Sequence, residues 1–308
     1  MNFTIFNYLS LGIIFGLSAV ILFEDIKKKK IKNKWIVLGF GAGFLLFLAG
    51  FAYGPINFGY LINVSINTGI SFLIGFGIWR LNFWPAGDAK LFILFSFLLP
   101  LYHYQNTYLN YFPSIALLIN SFVIFLIFLI LKSTYFLFQS LYLDDKKYKL
   151  ISFFRNKKIF LKMFFRISIG LLIYFILAKF LFKSSFQPKT FFLFFFIFFA
   201  IDALISFFIN KYSKEKIKIE DLQIQMNLAE ETILKLKENK NIFKNLGVLR
   251  AEGLETNQVN LIKKYLTESN IKTIYIYRSV SFSLWIIIGV LMTILLKGSV
   301  VQIFFNLN

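Results

Sequence analysis

Stretches of about 20 apolar residues recur along the chain, and each is long enough to cross the hydrocarbon core of a bilayer, about 30 Å thick. The composition agrees, because 58% of the residues are hydrophobic and only 16% are charged. The sequence therefore predicts an all-α polytopic membrane protein of about six to eight transmembrane helices, with a small cytoplasmic α+β module. The predicted spans are residues 3–23, 35–53, 60–79, 89–104, 113–137, 159–182, 190–210 and 280–297.

Basic residues fall on one side of these spans. The segments 26–34, 144–158 and 211–278 are rich in Lys and Arg, and they alternate with loops that carry few basic residues. Because cytoplasmic loops are enriched in Lys and Arg, we expect the basic side to be cytoplasmic and the N-terminus to lie outside. The predicted location is the plasma membrane, as a multi-pass protein.

The net charge of +19 does not require a nucleic-acid partner. Basic loops beside membrane segments fix orientation and meet anionic lipid, so the lipid bilayer is the predicted partner of this charge and no nucleic acid is expected. The chain has no Cys, and His103 is its only histidine. A disulfide framework and a thiolate metal site are therefore excluded, and zinc and Ser-His-Asp chemistry nearly so. No metal or other cofactor is predicted.

The predicted organisation has four parts. They are a membrane core that carries the candidate site (1–138), a basic cytoplasmic loop with additional transmembrane helices (139–212), a cytoplasmic α+β module (213–278), and a final transmembrane helix with a short tail (279–308).

Three patterns indicate local structure within the α+β module. Thr256 or Asn257 is a plausible cap for a helix whose apolar residues follow at helical spacing. Residues 272–277 alternate in polarity, as is typical of a strand. The stretch 214–236 is compatible with a helix or with a strand-turn-strand unit.

Two aspartates lie at the same predicted edge of the membrane core. Asp25 ends the first predicted span, within Phe-Glu-Asp-Ile-Lys, and Asp88 precedes the fourth, within Pro-Ala-Gly-Asp-Ala-Lys. A carboxylate at a bilayer boundary is costly, so each is a candidate functional residue. If the two meet, they should share one proton, so that one carboxylate can accept a proton from water while the other polarises a peptide carbonyl. This pair is the minimal equipment of an aspartyl protease.

The residues around both acids resemble those of the type IV prepilin peptidases and archaeal preflagellin peptidases, which are membrane aspartyl peptidases. The similarity comprises an acid followed by a basic loop and Asn33, then Gly87-Asp88-Ala89-Lys90 after two spans. It extends to 218–231, which looks like the start of the soluble insert of archaeal-type members, to 252–264, and to the final span. The resemblance therefore touches roughly 1–105 and 200–300.

This resemblance implies cleavage of a short leader peptide from pilin-like or archaellin-like precursors, with Asp25 and Asp88 as the catalytic residues. Gly87, Lys90 and Asn33 match supporting positions. The chain departs from the family pattern at Pro85, which replaces the first glycine of Gly-x-Gly-Asp. It also lacks the cysteine-rich zinc insert of many bacterial members, so we expect peptidase without N-methyltransferase activity. The type IV pilus, the archaellum and a secretion pseudopilus stay open as destinations of the product.

Several alternatives stay open at this stage. Asp202, within the seventh predicted span, is the rival intramembrane acid and is more typical of a structural residue, while Glu24 is expected to be solvated and His103 to be a boundary residue at the outer face. A presenilin-like protease fits poorly, because its acids lie on neighbouring spans. A non-enzymatic protein, either a transporter or a scaffold for pilus or secretion assembly, is the alternative function, with Asp202 and Lys179 as its nearest polar candidates.

Overall fold

The computed structural model describes only part of the chain. The described residues are 3–28, 30–53, 56–100, 113–143, 168, 201–203, 205, 206, 213–277 and 281–300. The chain divides into two compact units, one formed by Met1–Phe125 with Lys216–Asn308 and the other by Leu126–Glu215. The predicted spans 159–182 and 190–210 lie almost entirely outside the described residues, as do His103, Lys179 and the loop 144–158. The predicted four-part organisation stays a prediction.

Long apolar helices dominate the described part of the chain. They are α1 (Phe3–Lys28), α2 (Asn33–Ala52), α3 (Phe58–Arg80) and α5 (Pro113–Leu143). By length and composition these four could each cross a membrane, which agrees with a predominantly helical membrane protein.

Many apolar side chains of these helices point away from the protein interior. Phe44, Leu45 and Leu48 of α2 are exposed, as are Phe72 and Leu73 of α3. Extended exposed apolar surfaces are rare on soluble monomers and are expected where lipid covers a helix.

The fourth predicted span, 89–104, is wrong in its bounds. Helix α4 runs from Ala86 to Leu98, so it is only 13 residues long and shorter than a bilayer-crossing helix. It begins directly after Pro85, which cannot lie inside a helix without breaking it. It ends at Leu98 because Leu99 precedes Pro100 and adopts an extended conformation.

Helix α4 is buried on nearly all sides. It packs against α1, α2 and α3, and against α9 (Ser283–Leu296) near the end of the chain. Leu91, Phe92, Leu94 and Phe95 are fully enclosed. Polar side chains also contact its last turn, since Ser10 donates a hydrogen bond to the Leu98 carbonyl and Asn67 donates one to the Ser96 carbonyl at 2.7 Å. The helix is therefore the centre around which the longer helices pack.

Helix α9 is fastened to α5 by polar contacts and by a close approach. Asn120 of α5 donates hydrogen bonds to Thr293 Oγ1 at 2.8 Å and to the Gly298 carbonyl at 2.9 Å, and it accepts one from the Val300 amide at 2.7 Å. Gly289 lies against the backbone of Ser121, where a Cβ would fall 2.9 Å from the Ser121 nitrogen. The two helices therefore meet without space for a side chain at position 289.

Residues 213–277 form the predicted α+β module. Its three-stranded sheet has the order β1 (Lys214–Lys218), β3 (Thr273–Tyr277), β2 (Asn227–Leu228), and β2 is antiparallel to β3. The predicted strand 272–277 is thus confirmed, and 214–236 contains two strands and the start of a helix. The helices of the module are α6 (Glu230–Lys237), α7 (Lys240–Leu246) and α8 (Thr256–Glu268), with a 3-10 turn at Ile219–Asp221.

The predicted cap of α8 is wrong by one residue. Glu255, and not Thr256 or Asn257, occupies the N-cap position. Its side chain accepts a hydrogen bond from the amide of Gln258, whose side-chain oxygen accepts one from the Glu255 amide at 3.0 Å. This reciprocal capping box satisfies two free donors of the first turn and outweighs the intrinsic preference for Thr or Asn.

We predict that Gly289→Ala lowers the stability of the protein, because overpacking a helix contact costs about 1–3 kcal/mol. Gly41→Ala is the matched control, since nothing lies within 4 Å of a Cβ at Gly41 and alanine favours a helix. Thermal unfolding of the detergent-solubilised protein should give a lower midpoint for Gly289→Ala and an equal or higher one for Gly41→Ala. Equal midpoints for Gly289→Ala and the unchanged protein would contradict the close packing of α5 and α9.

Candidate active site

Asp25 continues the buried face of α1. Ile14, Leu17 and Ile21 precede it at helical spacing, and all four side chains are buried, with 6% of Asp25 exposed. A carboxylate therefore occupies the last position of a mainly apolar stripe. This places it at the end of α1 and inside the protein, rather than among the exposed basic residues that follow.

Asp88 lies in the first turn of α4, three residues after Pro85. Its side chain is 5% exposed and belongs to the same enclosed helix as Leu91 and Phe92. The first turn of a helix favours an anion through the helix dipole, but burial favours the neutral acid. Burial is the larger effect here.

The two predicted acids are near enough for the charge of Asp25 to act on Asp88. Asp88 lies outside the four candidate membrane spans. Burial raises its pKa to about 8, and the negative charge of Asp25 contributes to the same rise. Asp88 therefore keeps its proton at neutral pH, and the charge of Asp25 favours this protonated form.

Two serines near the end of the chain complete the surroundings of Asp25. Ser281 Oγ donates a hydrogen bond to Asp25 Oδ2, and Ser283 Oγ donates a second to the same oxygen at 2.5 Å. Ser281 and Ser283 are also 2.8 Å apart, oxygen to oxygen. The pair is therefore asymmetric: one oxygen of Asp25 accepts hydrogen bonds from two hydroxyl groups, while Asp88 is a buried acid with a raised pKa. Sequence reasoning missed both serines.

The predicted supporting residues lie around the loop between α1 and α2. Lys90 Nζ donates a hydrogen bond to Asn33 Oδ1 at 3.0 Å and so links α4 to the first residue of α2. A Cβ at Gly87 would lie 3.2 Å from the Cβ of Ile31, so Gly87 allows this loop to pack closely against α4. The structure thus gives Lys90 a contact with Asn33, and Gly87 a contact with Ile31.

Glu24, the neighbour of Asp25, has a separate role. Its carboxylate forms an ion pair with Lys32 at 2.7 Å and accepts a hydrogen bond from Trp35 Nε1 at 3.0 Å. These contacts brace the turn between α1 and α2. Glu24 is therefore partnered by the loop and is not part of the buried pair.

The rival acid Asp202 lies in the other unit, in a short helical stretch, and is half-buried. No group of three or more His, Asp or Glu side chains that could hold a metal ion occurs within the part of the chain that the structure describes. The buried acids Asp25 and Asp88 are accordingly the best-defined chemical site of the described residues.

Comparisons with known proteins give no identification: no family model, no curated protein and no solved structure matches the chain. The candidate site therefore stands on its geometry and on the motif residues alone.

The raised pKa of Asp88 predicts a pH-dependent stability. The folded protein retains a proton that the unfolded chain releases near the ordinary pKa of 3.8. The contribution of protonated Asp88 to the free energy of unfolding is thus fully present below that value. It is lost as the pH rises through about 8. We expect the stability of the folded protein, relative to Asp88→Asn, to fall between pH 5.5 and 8 by at most about 1.4 kcal/mol per pH unit.

Thermal midpoints of both proteins in detergent, measured across this range, provide the test. Asp88→Asn cannot titrate and should lack this decline, so the difference between the two curves isolates the buried acid. Parallel curves would show that Asp88 is ionised in the folded protein at neutral pH.

Proposed function

We propose that this protein is a membrane aspartyl endopeptidase that removes the short leader peptide from pilin-like or archaellin-like precursors at the cytoplasmic face of the plasma membrane. The observation that carries the proposal is the burial of Asp25 and Asp88, two carboxyl groups from separate helices, with the charge of Asp25 acting on Asp88. A buried acid pair has no stabilising value by itself, because taking carboxyl groups out of water is costly. Such a pair is, however, suited to hydrolysis of a peptide bond.

The asymmetry of the pair assigns the two roles. Asp88, which holds the proton, donates it toward the carbonyl oxygen of the scissile peptide. Asp25, fixed by Ser281 and Ser283 at Oδ2, accepts a proton from the attacking water through its other oxygen. The water oxygen bonds to the carbonyl carbon and forms a tetrahedral intermediate. The carbon–nitrogen bond then breaks as the nitrogen takes up the proton held by Asp25, and the hydroxyl proton returns to Asp88.

The position of the pair suits a substrate that is itself a membrane helix. Precursors of the proposed class carry a short basic leader before an apolar helix. That helix could lie in the bilayer with its cleavage site beside the C-terminal end of α1 and the N-terminal end of α4. The exposed apolar faces of α2 and α3 are compatible with lipid around the protein. Methylation of the new N-terminus is not part of the proposal.

We expect Asp25→Asn and Asp88→Asn each to abolish leader removal, since neither amide can exchange the required proton. Co-expression with a candidate precursor, followed by mass measurement of the product, would show the shortened form with the unchanged protein alone. Asp202→Asn is the matched control and should process normally. Retained processing by either of the first two variants, or its loss in Asp202→Asn alone, would contradict the proposal and favour the non-enzymatic alternative.

A second prediction concerns the serines. Ser283→Ala removes one hydrogen bond to a charged group, which is worth about 1.5–3 kcal/mol and corresponds to about 10–150-fold in rate. We expect kcat to fall by this factor and the double variant with Ser281→Ala to lose more. Ser65→Ala, which changes an exposed serine of α3, should retain full activity. An unchanged kcat in Ser283→Ala would show that this hydroxyl does not assist Asp25.

A further inference from the structure

Glu252 extends from the α+β module to the ends of two helices of the core. Its Oε1 accepts a hydrogen bond from Trp79 Nε1 at 2.9 Å and another from the backbone amide of Ala86 at 3.1 Å. Trp79 is the penultimate residue of α3, and Ala86 is the first residue of α4. One carboxylate oxygen therefore joins the end of α3, the start of α4 and the module.

Helix α4 lacks a cap of its own. The first amides of a helix have no partner within the helix, and a Ser, Thr, Asp or Asn at the N-cap usually accepts from one of them. Pro85 occupies the N-cap position here and provides no side-chain acceptor. Glu252 supplies the missing acceptor from a distant part of the chain, and its negative charge suits the positive end of the helix dipole.

The loop before α4 is held at two points. Trp84 is 2% exposed and packs against the rings of Phe92, Phe122 and Phe282. Two residues later, Ala86 is held by Glu252. Between these contacts and Asp88 only Gly87 intervenes, so a displacement of Ala86 would be passed directly to the buried acid.

The two residues that follow Glu252 in the sequence hold its backbone in the module. Gly253 has φ +87°, and a Cβ there would fall 2.4 Å from the Gln225 carbonyl. Leu254 is buried in the core of the module and forms two hydrogen bonds with the residues just before β2. It donates one to the Met226 carbonyl at 3.0 Å and accepts one from the Gln225 amide at 2.9 Å. The backbone that carries Glu252 is thus anchored in the module rather than in a free loop.

We infer that Glu252 is a positioning residue that caps α4 and so holds Asp88 in place, and that completing the catalytic helix is a function of the α+β module. The catalytic consequence rests on the proposed peptidase function. The structural consequence, protection of the start of α4, does not.

Side-chain length and charge can be separated at this position. Glu252→Asp keeps the charge but is one methylene shorter, so it should not reach Ala86. Glu252→Gln keeps the length and one acceptor oxygen but loses the charge. Glu252→Ala removes both, and Glu268→Ala, which changes an exposed glutamate at the end of α8, is the control.

Amide hydrogen exchange of the full-length protein in detergent is the first measurement. We expect residues 82–88 to exchange at least about tenfold faster in Glu252→Asp and Glu252→Ala, because the lost bond involves a charged acceptor. Glu252→Gln should stay within about threefold of the unchanged protein, and Glu268→Ala should equal it. Residues 256–268 should stay protected in every variant. Unchanged exchange over 82–88 in Glu252→Asp overturns the inference, even if Glu252→Ala fails to fold.

Leader cleavage is the second measurement. Glu252→Asp should lower kcat about tenfold with KM unchanged, while Glu252→Gln should restore most of the rate. A rise in KM alone would overturn the positioning role. If the unchanged protein cleaves no precursor, the proposed function fails but the exchange result still decides the role of Glu252. If exchange is unaffected, the tests of Asp25 and Asp88 still stand.

Discussion

The structure depends on the enclosure of α4, a short helix that carries a carboxyl group into an apolar interior. Its neighbours α1, α2, α3 and α9 cover it on nearly every side. Burying Asp88 in this way is unfavourable for an ionised group, so the enclosure itself keeps the acid protonated. The charge of Asp25 adds to this effect. Local packing, electrostatics and the proposed chemistry therefore have one origin, namely the burial of this helix.

Polar groups from several segments hold Asp25 and α4 in position. Hydroxyl groups from the start of α9 fix Asp25, a lysine and an asparagine link α4 to α2, and a glutamate of the module caps α4. Each of these groups comes from a different segment, so the candidate site is formed by residues that are distant in the sequence rather than by one motif. A hydrogen bond in a low-dielectric interior is stronger than one in water, which makes such a site sensitive to single substitutions.

Much of the described helical fold could be predicted from the sequence, because apolar runs and breaker residues act locally. The bounds of α2 and α3 and the strand β3 followed from such patterns, and Pro85 marked the break before α4. The sequence also contains the reason why α4 is short, since Pro100 forces Leu99 out of the helix. Hydropathy alone does not reveal this, because the apolar residues continue beyond the end of the helix. The partners of the acids could not be predicted. Ser283 and Glu252 are far in sequence from Asp25 and Ala86, and no local pattern links them. Only tertiary packing brings Ser283 to Asp25 and Glu252 to Ala86.

The location of Ser281 and Ser283 has a consequence for biogenesis. A nascent chain grows from its N-terminus, so both aspartates are synthesised long before the two hydroxyl groups that hold Asp25. Helix α9, which covers one side of α4, arrives equally late. An acid pair formed by the first four helices alone would lack these donors and this cover. Assembly of the last described helix is therefore the step at which Asp25 acquires its two hydroxyl donors.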